Sequence, residues 1–182
     1  MAAGDEVVEQ LIEQRGRALT GYAYLLCGDV HDAEDLVQDA LVKTFGRRRA
    51  GLRLDSAEAY VRRAVLTLYL DRWRTRKRWS PRWPAAAEPA EVASPESAVA
   101  EHLDVVAALA QLPPQQRACT VLRFYDDLPV AEIADQLGLG VGTVKRYLSL
   151  ATHRLEGLLG PISAPTDGPD ADTSLETVLE TR

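Results

Sequence analysis

The side chains best suited to metal binding or nucleophilic chemistry here are His31, His102, His153, Cys27 and Cys119, and their spacing serves neither. There is no CxxC pair, no histidine at ligand distance from a cysteine, and no nucleophile beside a base. The two thiols read as buried and reduced. No metal or other cofactor is expected, and the chain does not read as an enzyme. The chemistry that the residue types do favour is contact with a polyanion. The 182 residues carry a net charge of −6, but residues 47–83 hold 12 basic and 3 acidic side chains. Acidic stretches flank them, with 3 basic and 9 acidic side chains over 1–46 and 5 and 10 over 84–160. Within DRWRTRKRWSPRW (71–83) basic and aromatic residues alternate. Arginine and lysine neutralise phosphates, and Trp73, Trp79 or Trp83 can stack on unpaired bases. For Trp73 packing in the core is the competing reading.

A second nucleic-acid signal lies in PVAEIADQLGLGVGTVKRYLSLATHRL, residues 129–155. Ala131, Ile133, Ala134 and Leu137 give a short helix one apolar face, Gly138 supplies a left-handed turn, and Val144, Leu148 and Ala151 give a second helix its own. This is a helix-turn-helix pattern. Ala134 is small where the helices cross, and Thr143 is expected to cap the second helix, sending Lys145 and Arg146 outward toward a major groove. An ordinary helical hairpin with solvated basic residues is the competing reading.

The elements that position these segments are helical throughout. Val8, Leu11, Ile12, Leu19, Tyr22, Ala23 and Leu26 recur at helical spacing over 7–27, and Gly28 stops that helix. Asp32 is expected to cap a second helix lined by Ala33, Leu36, Val37, Ala40, Leu41 and Phe45, leaving Glu34, Asp35, Gln38 and Asp39 exposed. GRRRAGLRLDSA (46–57) reads as a basic loop, with Ser56 capping a third helix over about 57–78 that buries Tyr60, Val61, Ala64, Val65, Leu68 and Tyr69. Four prolines between Ser80 and Glu101 mark a linker. Helical periodicity resumes at Leu103, Val106, Ala107 and Leu109, breaks at Pro113 and Pro114, and returns with Ala118, Val121, Leu122 and Tyr125. The fold class is therefore all-α: two small helical domains joined by a flexible linker, the C-terminal one containing the helix-turn-helix. The boundaries fall at 1–79, 80–101 and 102–160, with an acidic tail over 161–182. In that tail Thr173 to Glu176 form a capping-box pattern, and Leu175, Val178 and Leu179 sit at helical spacing. The competing readings there are a disordered, solubilising tail and a short helix docked on one of the domains. No apolar run approaches the roughly 20 residues of a membrane span, and the N-terminus lacks a signal pattern, so the expected location is the cytoplasm.

In this order, the two helical domains resemble an extracytoplasmic-function sigma factor of the bacterial sigma-70 family over about residues 8–158. HDAEDLVQDAL (31–41) resembles the segment that grips the clamp helices of the largest RNA polymerase subunit, which implies a core-binding role for Glu34, Asp35, Gln38 and Asp39. The basic loop and third helix resemble the part that reads and holds open the minus-ten element. That implies contacts to melted single-stranded promoter DNA from Arg47, Arg48, Arg49, Arg53, Tyr60, Arg63, Thr67, Asp71, Arg74, Arg76, Lys77 and Arg78. Thr67 stands where the family usually has Asn, so amide contacts are absent there. Residues 112–155 resemble the module that reads the minus-thirty-five element as duplex, which implies DNA contacts from Gly142, Thr143, Lys145, Arg146 and Ser149. Tyr147 and Leu150 replace basic residues of many relatives.

The resemblance implies a promoter-specificity subunit that binds core polymerase and directs initiation. Its partners would be core polymerase and promoter DNA, with an anti-sigma factor as a further candidate and no membrane insertion. Two alternatives stand beside it: a stand-alone helix-turn-helix regulator, and a sigma-like interaction module that reads no promoter.

Overall fold

The structure, a computed structural model, describes residues 3–46, 54–79 and 97–162, with side chains over 6–46, at 54, and over 56–76 and 104–162. Among the described residues seven helices follow one another: α1 Ala3–Cys27, α2 Val30–Phe45, α3 Leu54–Trp79, α4 Ser97–Ala110, α5 Pro114–Phe124, α6 Val130–Leu137 and α7 Val141–Leu159. Arg47, Arg48, Arg49 and Arg53 of the basic loop, most of the linker, the acidic tail beyond Ile162 and the side chains of Lys77 and Arg78 lie outside the described residues. No described helix is long and apolar enough to cross a membrane.

α1, α2 and α3 pack pairwise on one another. The stripe Leu11, Leu19, Tyr22, Ala23 and Leu26 is fully buried, meeting Leu36 and Ala40 of α2 and Val61 and Val65 of α3. Ile12 falls off that stripe and is exposed, as does Tyr60 on α3, although the periodicity places both inside. Two caps differ from expectation. Asp29, not Asp32, caps α2: its backbone is extended and its carboxylate accepts the Asp32 N–H at 2.9 Å. Asp32 lies in the first turn instead, where its charge favours the helix dipole. α3 begins at Leu54, so Ser56 is inside the helix and caps nothing.

The C-terminal half is four helices, α4 to α7. α4 begins at Ser97, five residues before the expected domain boundary, because only the prolines up to Pro95 exclude helix. Pro114 occupies the first turn of α5, where its missing N–H costs nothing. α5 is buried from Arg117 to Arg123 and packs on α6 and α7, but also on α1 and α3. The buried apolar side chains therefore form one core running from Leu11 to Leu155, and the two halves rest against each other.

Candidate nucleic-acid interface

α6 and α7 form the helix-turn-helix. Val130, Ile133 and Ala134 of α6 are buried against Val144, Ala151 and Leu155 of α7, while Ala131 is exposed and yields its expected place to Val130. Gly138 adopts φ 65, ψ 37, a left-handed conformation that costs a side-chain-bearing residue strain. The Leu139 N–H then donates to Ala134 O at 2.9 Å and closes the turn. Thr143 does not cap α7. The cap is Gly140, whose carbonyl accepts from the Thr143 and Val144 N–H groups at 2.9 and 3.1 Å. No side chain caps the start of α7. Gly142, Lys145, Arg146 and Ser149 are exposed on the outer side of α7, and Thr143 is half-buried beside them. Tyr147 points inward, its hydroxyl donating to Gln115 Oε1 at 2.9 Å and tying α7 to α5.

The N-terminal half carries an acidic row and a basic row side by side. Glu34, Asp35, Gln38 and Asp39 are all exposed on α2. On α3, Tyr60, Arg63, Thr67, Asp71, Arg74 and Arg76 are exposed, and Trp73 is half-buried. The rows touch: an Arg72 guanidinium nitrogen lies 2.7 Å from Asp39 Oδ2, and one of Arg76 lies 4.0 Å from Asp32 Oδ2. Arg74 pairs with Asp71 one turn away at 2.9 Å. The Thr67 hydroxyl donates to Arg63 O at 2.8 Å, so it is satisfied by its own helix.

Between the halves lies a polar seam that sequence reasoning missed. The Arg62 guanidinium donates to Asp126 in the α5–α6 turn and to Glu58 at 2.8 Å. It also sits between two tyrosine rings, 5.6 Å from the centroid of Tyr22 and 5.5 Å from that of Tyr125. Arg15 joins Glu58 at 3.2 Å. Beside Asp126, Asp127 takes φ 51, a left-handed conformation uncommon outside glycine. Arg117 of α5 donates to Leu26 O at the end of α1, at 2.8 Å, and to Ala110 O, so one side chain satisfies carbonyls at the ends of α1 and α4. One sequence signal pointed here: Arg117 is four positions before buried Val121, a charge in register with an apolar stripe.

Burial sets the ionisable groups of this region. It pushes the Asp126 carboxyl above the usual carboxylate range, outweighing the pull of Arg62. The Tyr22 hydroxyl, buried without a hydrogen-bond partner and near Asp126, is pushed far up. Cys27, half-buried near Asp32 and Arg117, and Cys119, buried in α5, are unbridged thiols, each pushed up to about 12 chiefly by burial. Among the described residues no cluster of three or more His, Cys, Asp or Glu side chains is placed to hold a metal.

Comparison with known proteins agrees with this layout. The family model for sigma-70 region 2 matches residues 11–79, and that for sigma-70 region 4 matches residues 102–155. RNA polymerase sigma-E factor of Streptomyces avermitilis is 35% identical, covering 85% of this chain and 87% of its own. ECF RNA polymerase sigma factor SigE of Mycolicibacterium smegmatis is 32% identical, covering 91% and 68%. Among solved structures, the sigma factor RpoE of Bartonella quintana, crystallised with the anti-sigma factor NepR, superposes with a TM-score of 0.58 at 27% identity, covering 83% of this chain and 95% of that one. The helix-turn-helix half and the basic three-helix half are thus regions 4 and 2 of a sigma-70 protein, and the chain belongs to the extracytoplasmic-function sigma factors, the RNA polymerase subunits that direct transcription initiation.

Proposed function

We propose that the exposed acidic row of α2, Glu34, Asp35, Gln38 and Asp39, grips the clamp helices of the largest polymerase subunit. The α3 face from Tyr60 through Arg63, Thr67, Asp71, Arg74 and Arg76, continued by Lys77, Arg78 and the loop arginines, receives the melted minus-ten strand. Gly142, Thr143, Lys145, Arg146 and Ser149 read the minus-thirty-five duplex. The observation that carries this reading is the orientation of α7: its apolar stripe is buried, and Lys145 and Arg146 project together from its exposed side. The work takes place in the cytoplasm, on chromosomal DNA. An anti-sigma factor, as NepR is in the complex with the Bartonella sigma factor, is a further candidate partner.

Promoter engagement requires the halves to part. The two elements lie about 25 base pairs apart, roughly 80 Å at about 34 Å per turn. A folded unit of this size has a radius of gyration of about 15 Å. The described arrangement is therefore that of the free protein, and the linker gives the reach when the seam opens. Run-off transcription with purified core polymerase on genomic fragments tests the reading. Transcripts should start downstream of a shared pair of elements, and specific duplex binding by the chain alone, without transcripts, would overturn it.

A further inference from the structure

Of the ten large apolar side chains that are exposed among the described residues, four gather on one face of the C-terminal half: Val105 of α4 and Leu150, Leu158 and Leu159 of α7. They border two adjoining hollows of about 490 and 550 Å³ that share Gln111 and Leu158, and so form one groove between α4 and α7. His153 and Arg154 stand at the end nearer Leu150. From Leu150 to Leu159 the groove follows α7 for about 14 Å at 1.5 Å per residue. An apolar groove of this size, with the Arg154 guanidinium at one end and Asp104 at the other, fits an amphipathic helix of similar length that sets its acids toward Arg154.

The same chain holds such a segment, and leaves the described structure beside the groove. α7 ends at Leu159. Gly160 takes φ 88, which turns the chain out of the helix, and Ile162 packs half-buried against the core. The residues that follow, 163–182, carry 5 acidic side chains and 1 basic one. After a Pro- and Asp-rich stretch come the capping-box residues Thr173 and Glu176, then Leu175, Val178 and Leu179 at i, i+3 and i+4. Glu176 and Glu180 fall one turn apart beside that apolar row.

We propose that residues 173–182 fold as a short amphipathic helix into the α4–α7 groove of their own chain, with Leu175, Val178 and Leu179 covering Val105, Leu150 and Leu158 and the acids facing His153 and Arg154. Ten residues of such a helix are about 15 Å long, matching the groove. The intervening residues 163–172, as a flexible tether, span about 17 Å root-mean-square, enough to reach any point of it. Tethering at that distance gives the helix a local concentration on the order of millimolar, so even weak affinity suffices. A helix this short is marginal by itself, so it forms only as it docks. The tail thus shields an apolar face of the free protein and competes with any other helix offered to that face. The inference goes beyond the promoter-reading assignment and does not depend on it.

Hydrogen exchange on the full chain tests it, compared with a Leu175→Asp/Leu179→Asp variant in which the apolar row is spoiled. Amides of residues 175–181 should exchange at least threefold more slowly in the wild type, independently of protein concentration, and Leu158→Asp in the exposed groove should abolish the slowing. A smaller difference overturns the proposal. So does slowing that grows with protein concentration, which would place a second copy in the groove, or slowing that survives Leu158→Asp, which would place the helix elsewhere.

Discussion

The two surfaces proposed to meet DNA, on α7 and on α3, differ in what already occupies them. On α7, Lys145 and Arg146 project into solvent with no acidic side chain within ion-pair distance among the described residues. On α3, Arg72, Arg74 and Arg76 each face a carboxylate of the same half, and two of those carboxylates, Asp39 and Asp32, belong to the helix proposed to bind polymerase. The α7 face proposed to read duplex is thus free of ion pairs among the described residues, while the α3 face proposed to take the melted strand is screened by neighbouring acids. The pairs are exposed and individually weak, about 0.2–1 kcal/mol each. If the proposed roles hold, their placement links two events: a polymerase that engages Asp39 would release Arg72 toward DNA.

The largest expected effect sets the screened acids apart from the unscreened ones. Asp35 and Gln38 point into solvent from α2 while Leu36 and Val37 hold the helix in the core. Replacing both with Ala should reduce core polymerase capture by about 30-fold or more, as for removal of an interface hot spot, with helicity and DNA binding by the free chain unchanged. Quantitative pull-down with circular dichroism on the same samples checks it, and undiminished capture would remove the clamp-binding role from α2.

Next in size is the seam that holds the halves together. Arg62→Ala would leave Asp126 partly buried without its cation and Glu58 with only the more exposed Arg15, whereas Asp126→Asn leaves Arg62 its bond to Glu58 and its two tyrosine rings. Burial raises the Asp126 carboxyl despite Arg62, while Asp126 and Glu58 raise the Arg62 guanidinium despite its own burial, so the carboxylate is the partner that most needs its counterion. Removing the arginine should therefore shift the closed state by about 1–3 kcal/mol, and Asp126→Asn by less. Small-angle scattering reads the opening as a larger radius of gyration. Alkylation gives a second measure: Cys27, beside Arg117 at the seam, should gain reactivity as its thiol falls from about 12 toward its usual value, while Cys119 stays inert in α5. Equal reactivity of both thiols before and after the substitution would contradict this picture.

What periodicity could reach was largely legible, and the reasons for the rest are specific. The buried rows of α1, α2 and α7 follow from 3.6-residue spacing, and the left-handed turn follows from Gly138. The caps were harder. Asp29, Asp32, Ser56 and Thr143 all have capping chemistry, and only backbone geometry separates the cap from a residue in the first turn. Tyr60 illustrates a limit of composition: an aromatic beside Val61 reads as core until the face of α3 is fixed by Val61 and Val65. The seam was out of reach because Arg62 and Asp126 lie 64 positions apart and each looks like an ordinary surface charge. Packing of α5 on α1 and α3 brings them together.

On the open face, Lys145→Ala/Arg146→Ala should weaken holoenzyme binding to the upstream element and flatten its salt dependence, the log–log slope falling by about 0.9 for each phosphate that is no longer neutralised. Capture of core polymerase should not change. Filter binding at several salt concentrations measures both slope and affinity, and an unaltered slope would mean that α7 meets DNA through other residues.

The smallest effect is the one that tests the screening itself. Asp39→Asn removes the charge facing Arg72 but keeps a group of the same shape, so α2 should stay capped by Asp29 and packed by Leu36 and Ala40. Arg72 then faces DNA uncompensated. Removing an exposed pair of about 0.2–1 kcal/mol corresponds to about 1.5- to 5-fold tighter binding of single-stranded DNA by the free chain. The gain should fade as salt rises and the Debye length drops below about 10 Å. Polymerase capture should move the other way, since the same carboxylate is proposed to meet the clamp. Asp71→Asn is the control: it frees Arg74 within α3 and should leave polymerase capture alone. If Asp39→Asn alters capture but not DNA binding at low salt, the acidic and basic rows are neighbours without being coupled, and the contrast between the open and the screened face reduces to one of composition.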